Sequence, residues 1–180
     1  MLYCFLAPGF EETEAIAPID MLRRAKIDVL TVGVGAKQIT GSHNIPFVCD
    51  LTEDQMVLDD KLDGVILPGG MPGILNLEKS DSVQRALDYC HQNEKLLCAI
   101  CAAPSILGHK GFLKNKTAIA FPGFEDDLKG AVLSSTPVAA DGNIITAKGA
   151  GVAVDFGLAI VAAIKDQATA DAIRSSIQCP

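Results

Sequence analysis

Tryptophan is absent from this chain, and aromatic residues make up only 5% of its 180 positions. Its core must therefore come from Val, Ile, Leu and Ala, a composition that suits an α/β chain. No basic tract occurs and the formal charge is −7, which excludes nucleic acid as a default partner. The longest apolar stretch, from Val152 to Ile164, contains Asp155 and is too short to cross a bilayer, so no membrane partner is expected. The opening Met1-Leu2-Tyr3-Cys4-Phe5-Leu6 has no basic leader and breaks at Pro8-Gly9; it reads as a first strand rather than a signal peptide. No linker or low-complexity run interrupts the chain, and its length predicts one domain over residues 1–180. The six cysteines form no disulfide framework, which points to a reducing compartment and a cytoplasmic location. Histidine is scarce as well. His109 reads as a helix C-terminal cap, His91 as a residue on a polar helix face and His43 as a turn residue at the rim of a site. None has a strong claim to be a catalytic base.

What is present is an alternation of strand and helix patterns. Strands are predicted over 2–7, 28–34, 64–68, 96–100, 117–120, 137–140 and 144–147, with a turn and a short extended pair within 41–50. Asp141-Gly142 reads as the hairpin turn joining the last two strands. Helices are predicted over 12–25, kinked at Pro18, and over 80–93, 152–165 and 167–176. Ser80 stands where a helix cap belongs. This order implies one mostly parallel sheet with helices on both faces. Ligands in such sheets bind beyond the carboxyl ends of the strands. The loops 8–14, 68–73 and 101–104 leave those ends and are expected to converge.

Cys101 carries the most chemical information. It follows the apolar run Leu96-Leu97-Cys98-Ala99-Ile100 and precedes a helix opening at Ala102-Ala103-Pro104. A thiol at such a junction occupies a nucleophile elbow. The free N–H groups of the helix favour thiolate there. The plain alternative is an inert core cysteine; the strand-to-helix junction favours the reactive one. Cys98 and Cys101 form a C-x-x-C, but three strand steps separate their Cα atoms by roughly 10 Å. A disulfide needs less than about 7 Å, so Cys98 is assigned to the core. No His, Asp or Glu has the spacing to complete a zinc site with these thiols, and no metal is expected. Pro68-Gly69-Gly70 is a tight turn that also lets a backbone N–H approach a reacting atom. Gly70 and Ala102 N–H groups then form an oxyanion hole beside the thiol. Glu11 and Glu12 read as ordinary partners of a helix N-terminus. Glu14 begins the apolar run Ala15-Ile16-Ala17 and is expected to be partly buried, hence prone to stay protonated and able to hydrogen-bond a thiolate or carry a proton. Lys148-Gly149-Ala150-Gly151 lacks the third glycine of a dinucleotide loop, so no cofactor is expected.

Several motifs in one order together resemble the ThiJ/PfpI family, in the branch of the parkinsonism-associated protein deglycase. They are Pro8-Gly9-Phe10-Glu11-Glu12-Thr13-Glu14, Ile19-Asp20-Met21-Leu22-Arg23-Arg24-Ala25, Val65-Ile66-Leu67-Pro68-Gly69-Gly70, Ala99-Ile100-Cys101-Ala102-Ala103-Pro104, Phe121-Pro122-Gly123-Phe124-Glu125 and Gly149-Ala150-Gly151. The resemblance covers nearly the whole chain. It implies a flavodoxin-like three-layer α/β sandwich, a homodimer, Cys101 as the reactive thiol, Glu14 as its hydrogen-bonding partner, and Gly70 and Ala102 as main-chain donors. It further implies cofactor-free conversion of methylglyoxal or glyoxal to hydroxy acids and repair of early glycation adducts. The alternatives it implies are an oxidative-stress sensor in which Cys101 becomes a sulfinate, and a redox-regulated chaperone. The chain departs from the family at four places. Ala102 stands where the protease-like branch has His, which argues against peptidase activity. Phe121 stands where some members have His, Ala103 replaces a common Gly, and Val152 a common Thr; these bear on substrate preference. The roles of Cys49 and Cys179 are not set by the sequence.

Overall fold

The computed structural model describes residues 1–179. Its elements in chain order are β1 (Leu2–Leu6), α1 (Glu12–Arg24), β2 (Val29–Gly33), β3 (Gln38–Thr40), β4 (Pro46–Val48), β5 (Leu51–Thr52), β6 (Gly64–Leu67), α2 (Gly73–Lys79), α3 (Asp81–Gln92), β7 (Leu96–Ile100), α4 (Pro104–His109), β8 (Thr117–Ala118), β9 (Val132–Leu133), β10 (Val138–Asp141), β11 (Ile144–Ala147), α5 (Ala153–Ile164) and α6 (Gln167–Ser176). Seven strands form the main sheet in the order β10-β11-β7-β6-β1-β2-β5. Every neighbouring pair is parallel except β10–β11. Parallel strands covered on both faces are apolar throughout, and β1 and β6 are buried at every position.

Side-chain alternation builds the two outer layers. Leu2, Cys4 and Leu6 of β1 join Ile66, Cys98, Ile100 and Ile145 in a core closed by α1, α5 and α6. Tyr3 and Phe5 face the other way, with Val65, Leu67, Leu97 and Ala99, against α2, α3 and α4. The result is a flavodoxin-like three-layer α/β sandwich. The assignment of Cys98 to the core holds: it is buried in the layer that α1 and α5 cover.

Several details differ from the sequence expectations. α2 was not anticipated, because Pro72 and Gly73 at its start read as turn residues and the helix is only seven residues long. α1 runs on through Pro18, whose missing N–H removes a single bond of the ladder. Pro18 lies where α1 meets α5: a Cβ added at Gly157 would stand 2.7 Å from its Cα. The strand expected over 117–120 shortens to β8, which pairs with β9 outside the main sheet. Asp141 pairs with Ile144, so the hairpin turn is Gly142-Asn143 rather than Asp141-Gly142. The Ser80 cap is present, its Oγ accepting from Val83 N–H at 3.3 Å.

Candidate active site

Four loops leave the carboxyl ends of the adjacent strands β11, β7, β6 and β1 and meet above the sheet, near the point where the chain turns from one half of the sheet to the other. Their backbones are tied directly. Glu11 N–H donates to Gly69 O at 2.9 Å, Gly73 N–H to Gly9 O at 3.2 Å, and Cys101 N–H to Ala147 O at 2.9 Å. The convergence expected for three loops is thus present, and the glycine loop after β11 joins it.

Cys101 sits at φ 65, in the left-handed region that a non-glycine residue adopts at a cost. Both its backbone groups are held: Phe121 N–H donates to its carbonyl at 2.7 Å, opposite the bond to Ala147. α4 begins three residues later at Pro104. This strained turn lifts the side chain out of the sheet, so Cys101 is half-buried whereas Cys98 is closed off.

Glu14 reaches the same point from the first turn of α1, only 1% exposed. Glu11 is the N-cap of that helix, its Oε2 accepting from Glu14 N–H at 2.7 Å. Gly69 N–H donates to Glu14 Oε2 at 2.9 Å, and Ala150 N–H also donates to this carboxylate. Glu14 and Cys101 face each other across a hydrogen bond. Gly69 makes the approach feasible: a Cβ there would stand 2.6 Å from Glu14 Oε2, 2.7 Å from Cys101 Cβ and 3.1 Å from Cys101 Sγ. Gly70 has φ 96, and its N–H and that of Ala102 both reach the Cys101 sulfur. The structure therefore brings Cys101, Glu14, Gly70 and Ala102 together.

Burial lifts Glu14 to about 7, against the opposing hydrogen bonds from Cys101 and Gly69. Beside an ionised Glu14, burial first and the carboxylate charge second push the Cys101 thiol up to about 12, while Ala102 and Gly70 N–H groups pull it down. The sequence expectation that helix N–H groups alone favour thiolate is corrected here, because desolvation outweighs them. The outcome is a coupled pair that carries two protons below about pH 7 and one, on sulfur, above it. On sulfur, that last proton leaves a carboxylate accepting from a thiol; moved to oxygen, it leaves a thiolate accepting from a carboxyl.

Two contributors escaped the sequence reading. Gly69 and Ala150 act through main-chain N–H groups, which no residue type advertises; the only signal was the doubled glycine and the glycine-flanked alanine. Glu12 departs from its expected role as a simple helix-dipole partner. It is 5% exposed and its carboxylate accepts from His43 N–H at 2.8 Å, Ile45 N–H at 3.4 Å and Ser42 Oγ at 3.2 Å, with His43 Nδ1 at 2.9 Å. These bonds hold it well down, at about 2, and the carboxylate raises His43. Glu11, Glu12 and His43 are the only group of three such ligand side chains close enough for a metal among the described residues. Glu12 is already occupied by the turn over it, so the group reads as a structural clasp. His109 is more than a helix cap: it bridges Glu78 at 2.6 Å and Asp127 at 3.1 Å. His91 is exposed on α3, as expected, and stacks on Phe112 with ring centroids 3.9 Å apart.

Comparison with known proteins agrees with this geometry. Residues 2–163 match the DJ-1/PfpI family. The protein dj-1beta of Drosophila melanogaster is 36% identical over 158 residues, covering 86% of this chain and 84% of the relative. A deglycase of Thermococcus kodakarensis is 31% identical over 149 residues, covering 81% and 87%. A DJ-1 superfamily protein from Salmonella typhimurium, crystallised as a cysteine-to-alanine mutant, superposes with a TM-score of 0.92 at 34% identity, covering 99% of this chain and 98% of that one. The family match spans the residues that build the thiol–carboxyl pair, and the chain belongs to the DJ-1/PfpI family.

Proposed function

We propose that the protein is a cofactor-independent enzyme of glyoxalase or deglycase type, acting through Cys101 on methylglyoxal, glyoxal or early glycation adducts. The observation that carries this reading is the half-buried Cys101 on its left-handed elbow, hydrogen-bonded to a glutamate that burial lifts to about 7. A base with that affinity suits proton transfer at neutral pH. The Cys101 sulfur adds to the aldehyde carbon while Glu14 holds the thiol's proton. Charge passes from sulfur to the aldehyde oxygen, within reach of the Gly70 and Ala102 N–H groups that serve as the oxyanion hole. Glu14 returns the thiol's proton to that oxygen, giving the hemithioacetal, and as a free carboxylate takes the proton of the former aldehyde carbon and delivers it to the neighbouring keto carbon through an enediol, while the hydroxyl proton passes from the first oxygen to the second. The aldehyde carbon is thereby oxidised to a thioester and the ketone reduced to an alcohol. Water cleaves the thioester, releases lactate or glycolate and restores the thiol. The reaction is an internal redox exchange plus hydrolysis, so no outside electron carrier is needed. The deglycase among the relatives supports extending the same attack to glycated side chains, which would leave as free amine or thiol.

The test is lactate formation from methylglyoxal by purified protein without glutathione or metal, beside Cys101→Ala and Glu14→Gln. Turnover lost in Cys101→Ala and reduced about 10²–10⁴-fold in Glu14→Gln is the expected result. Full activity in Cys101→Ala refutes it.

A second reading, an oxidative-stress sensor through Cys101 sulfinate, is favoured by the same carboxyl, which in its protonated form donates to a sulfinate oxygen. A redox-regulated chaperone has less support, since exposed Val48, Val57 and Val132 lie on separate segments. The proposal includes a single domain over residues 1–180, a homodimer and a cytoplasmic location. Six free thiols support a reducing compartment. No helix among the described residues is long and apolar enough to cross a membrane.

A further inference from the structure

Residues 117–121 lie against the main sheet without taking a place in it. Three alternate N–H groups of the segment nevertheless reach it. Thr117 N–H donates to Asp141 Oδ2 at 2.8 Å, Ile119 N–H to Thr146 Oγ1 at 2.9 Å and Phe121 N–H to the Cys101 carbonyl at 2.7 Å. The acceptors belong to β10, to β11 and to the turn after β7, which are neighbours in the sheet. β11 is paired on both edges, by β10 and by β7, so a side chain rather than its backbone receives Ile119. Thr146 is fully buried, on the same face of β11 as Ile144, in the layer that holds Ala118 and Ala120. A valine would fill that space equally well. What the hydroxyl adds is the bond to Ile119. Asp141 is half-buried, with Lys116 Nζ at 3.6 Å from its other oxygen.

The last of the three rungs acts on the nucleophile. The Cys101 carbonyl and the Ala102 N–H belong to one planar peptide unit, so fixing the first aims the second. The Ala102 N–H is a donor to the Cys101 sulfur, and the turn that carries it is held at φ 65. We propose that Thr146 and Asp141 are positioning residues for the Cys101 elbow: through Ile119 and Thr117 they set the height of Phe121 N–H, and so the direction of the Ala102 donor. The inference rests on the reading of Cys101 as nucleophile and deepens it. Neither side chain touches the substrate.

The experiment compares wild type, Thr146→Val, Thr146→Ser and Asp141→Ala. Methylglyoxal turnover gives kcat and KM separately. Alkylation of Cys101 by iodoacetamide, followed by peptide mass spectrometry as a function of pH, reads the thiol without any turnover. Loss of a whole oxyanion donor costs about 10²–10³ in kcat. A misaimed donor in Thr146→Val is expected to cost about tenfold in kcat with KM within about twofold, and to slow alkylation several-fold. Thr146→Ser keeps the Oγ and should restore both to within about twofold of wild type. Asp141→Ala, one rung further away, should show the same changes in smaller size. A merely structural role would lower the urea midpoint and leave kcat and alkylation of the folded protein unchanged; that result overturns the proposal. So does Thr146→Ser as impaired as Thr146→Val. Should Thr146→Val fail to fold, Asp141→Ala decides by the same readouts, and wild-type values there overturn the proposal. Slowed alkylation in Thr146→Val, restored in Thr146→Ser, without methylglyoxal turnover in any form upholds the positioning and refutes the glyoxalase reading. Wild-type turnover with no difference among the variants does the reverse.

Discussion

Gly69 is the residue on which the geometry of the site turns. It donates to Glu14 at 2.9 Å, and the absence of its side chain lets Glu14 and Cys101 meet. In Gly69→Ala, the new methyl falls 2.6 Å from Glu14 Oε2 and 2.7 Å from Cys101 Cβ, so the two side chains must move apart. Displacement by about 1 Å costs about 10²-fold in a positioned reaction. Methylglyoxal turnover is expected to fall by at least that factor while circular dichroism stays native. Glu14 makes a separate prediction for stability. A free glutamate titrates near 4.5 and this one near 7, so the folded chain holds the proton more tightly than the unfolded chain. The associated stabilisation is complete below about 4.5 and is lost as pH rises through about 7. Its size is at most about 3 kcal/mol. Melting temperature in wild type should therefore decline more steeply between those pH values than in Glu14→Gln, and equal slopes would refute the assignment. The placement of Cys101, Glu14 and Gly70 in one cluster was legible because thiol, carboxyl and glycine are chemically marked. Gly69 and Ala150 were not, because their contribution is a backbone N–H whose direction depends on the tertiary fold.

At the scale of elements, the pair β3–β4 is fastened to the active-site loop rather than to the main sheet. Gly9 N–H donates to Thr40 O at 2.9 Å and Ser42 N–H to Phe10 O at 2.8 Å. Glu12 completes the fastening, and a Cβ at Gly41 would lie 2.3 Å from its Oε1, so the turn wraps directly over the carboxylate. Removing the carboxylate in Glu12→Ala takes the acceptor from the partly buried His43 and Ile45 N–H bonds and leaves the Ser42 hydroxyl with His43 Nδ1 alone. The expected loss is about 1–3 kcal/mol, and hydrogen exchange over residues 38–48 should accelerate before that of β1 or β7. Uniform acceleration across the sheet would contradict a local clasp. The sequence reading placed a turn and extended pair within 41–50, whereas the first strand of the pair, β3, precedes that range at Gln38–Thr40, and nothing in it hinted at this anchor. An acidic residue in a first helical turn looks the same whether it faces water or a neighbouring turn.

Across the whole molecule, burial separates six thiols of identical chemistry. Cys4, Cys49, Cys90 and Cys98 are buried, and burial raises each of them, Cys90 to about 12 and Cys49 to about 11. Cys101 is raised too, but it is half-buried and faces a carboxyl able to exchange its proton. Under graded peroxide, mass spectrometry should find oxidation at Cys101 well before Cys4 and Cys98, halting at sulfinate in wild type and proceeding further in Glu14→Ala. Even oxidation of all six would remove the sensor reading. The sequence by itself determined the alternating α/β pattern, the parallel sheet and the elbow at Cys101, because hydrophobic periodicity and strand-to-helix junctions are local properties. It also assigned Cys98 to the core, since strand geometry keeps it too far from Cys101 to bridge. Only the tertiary structure decided the proton balance between Cys101 and Glu14, the short α2 and the departure of β8 from the main sheet. Each of these depends on which distant segments pack together, and desolvation, close approach and backbone direction exist only once they have done so.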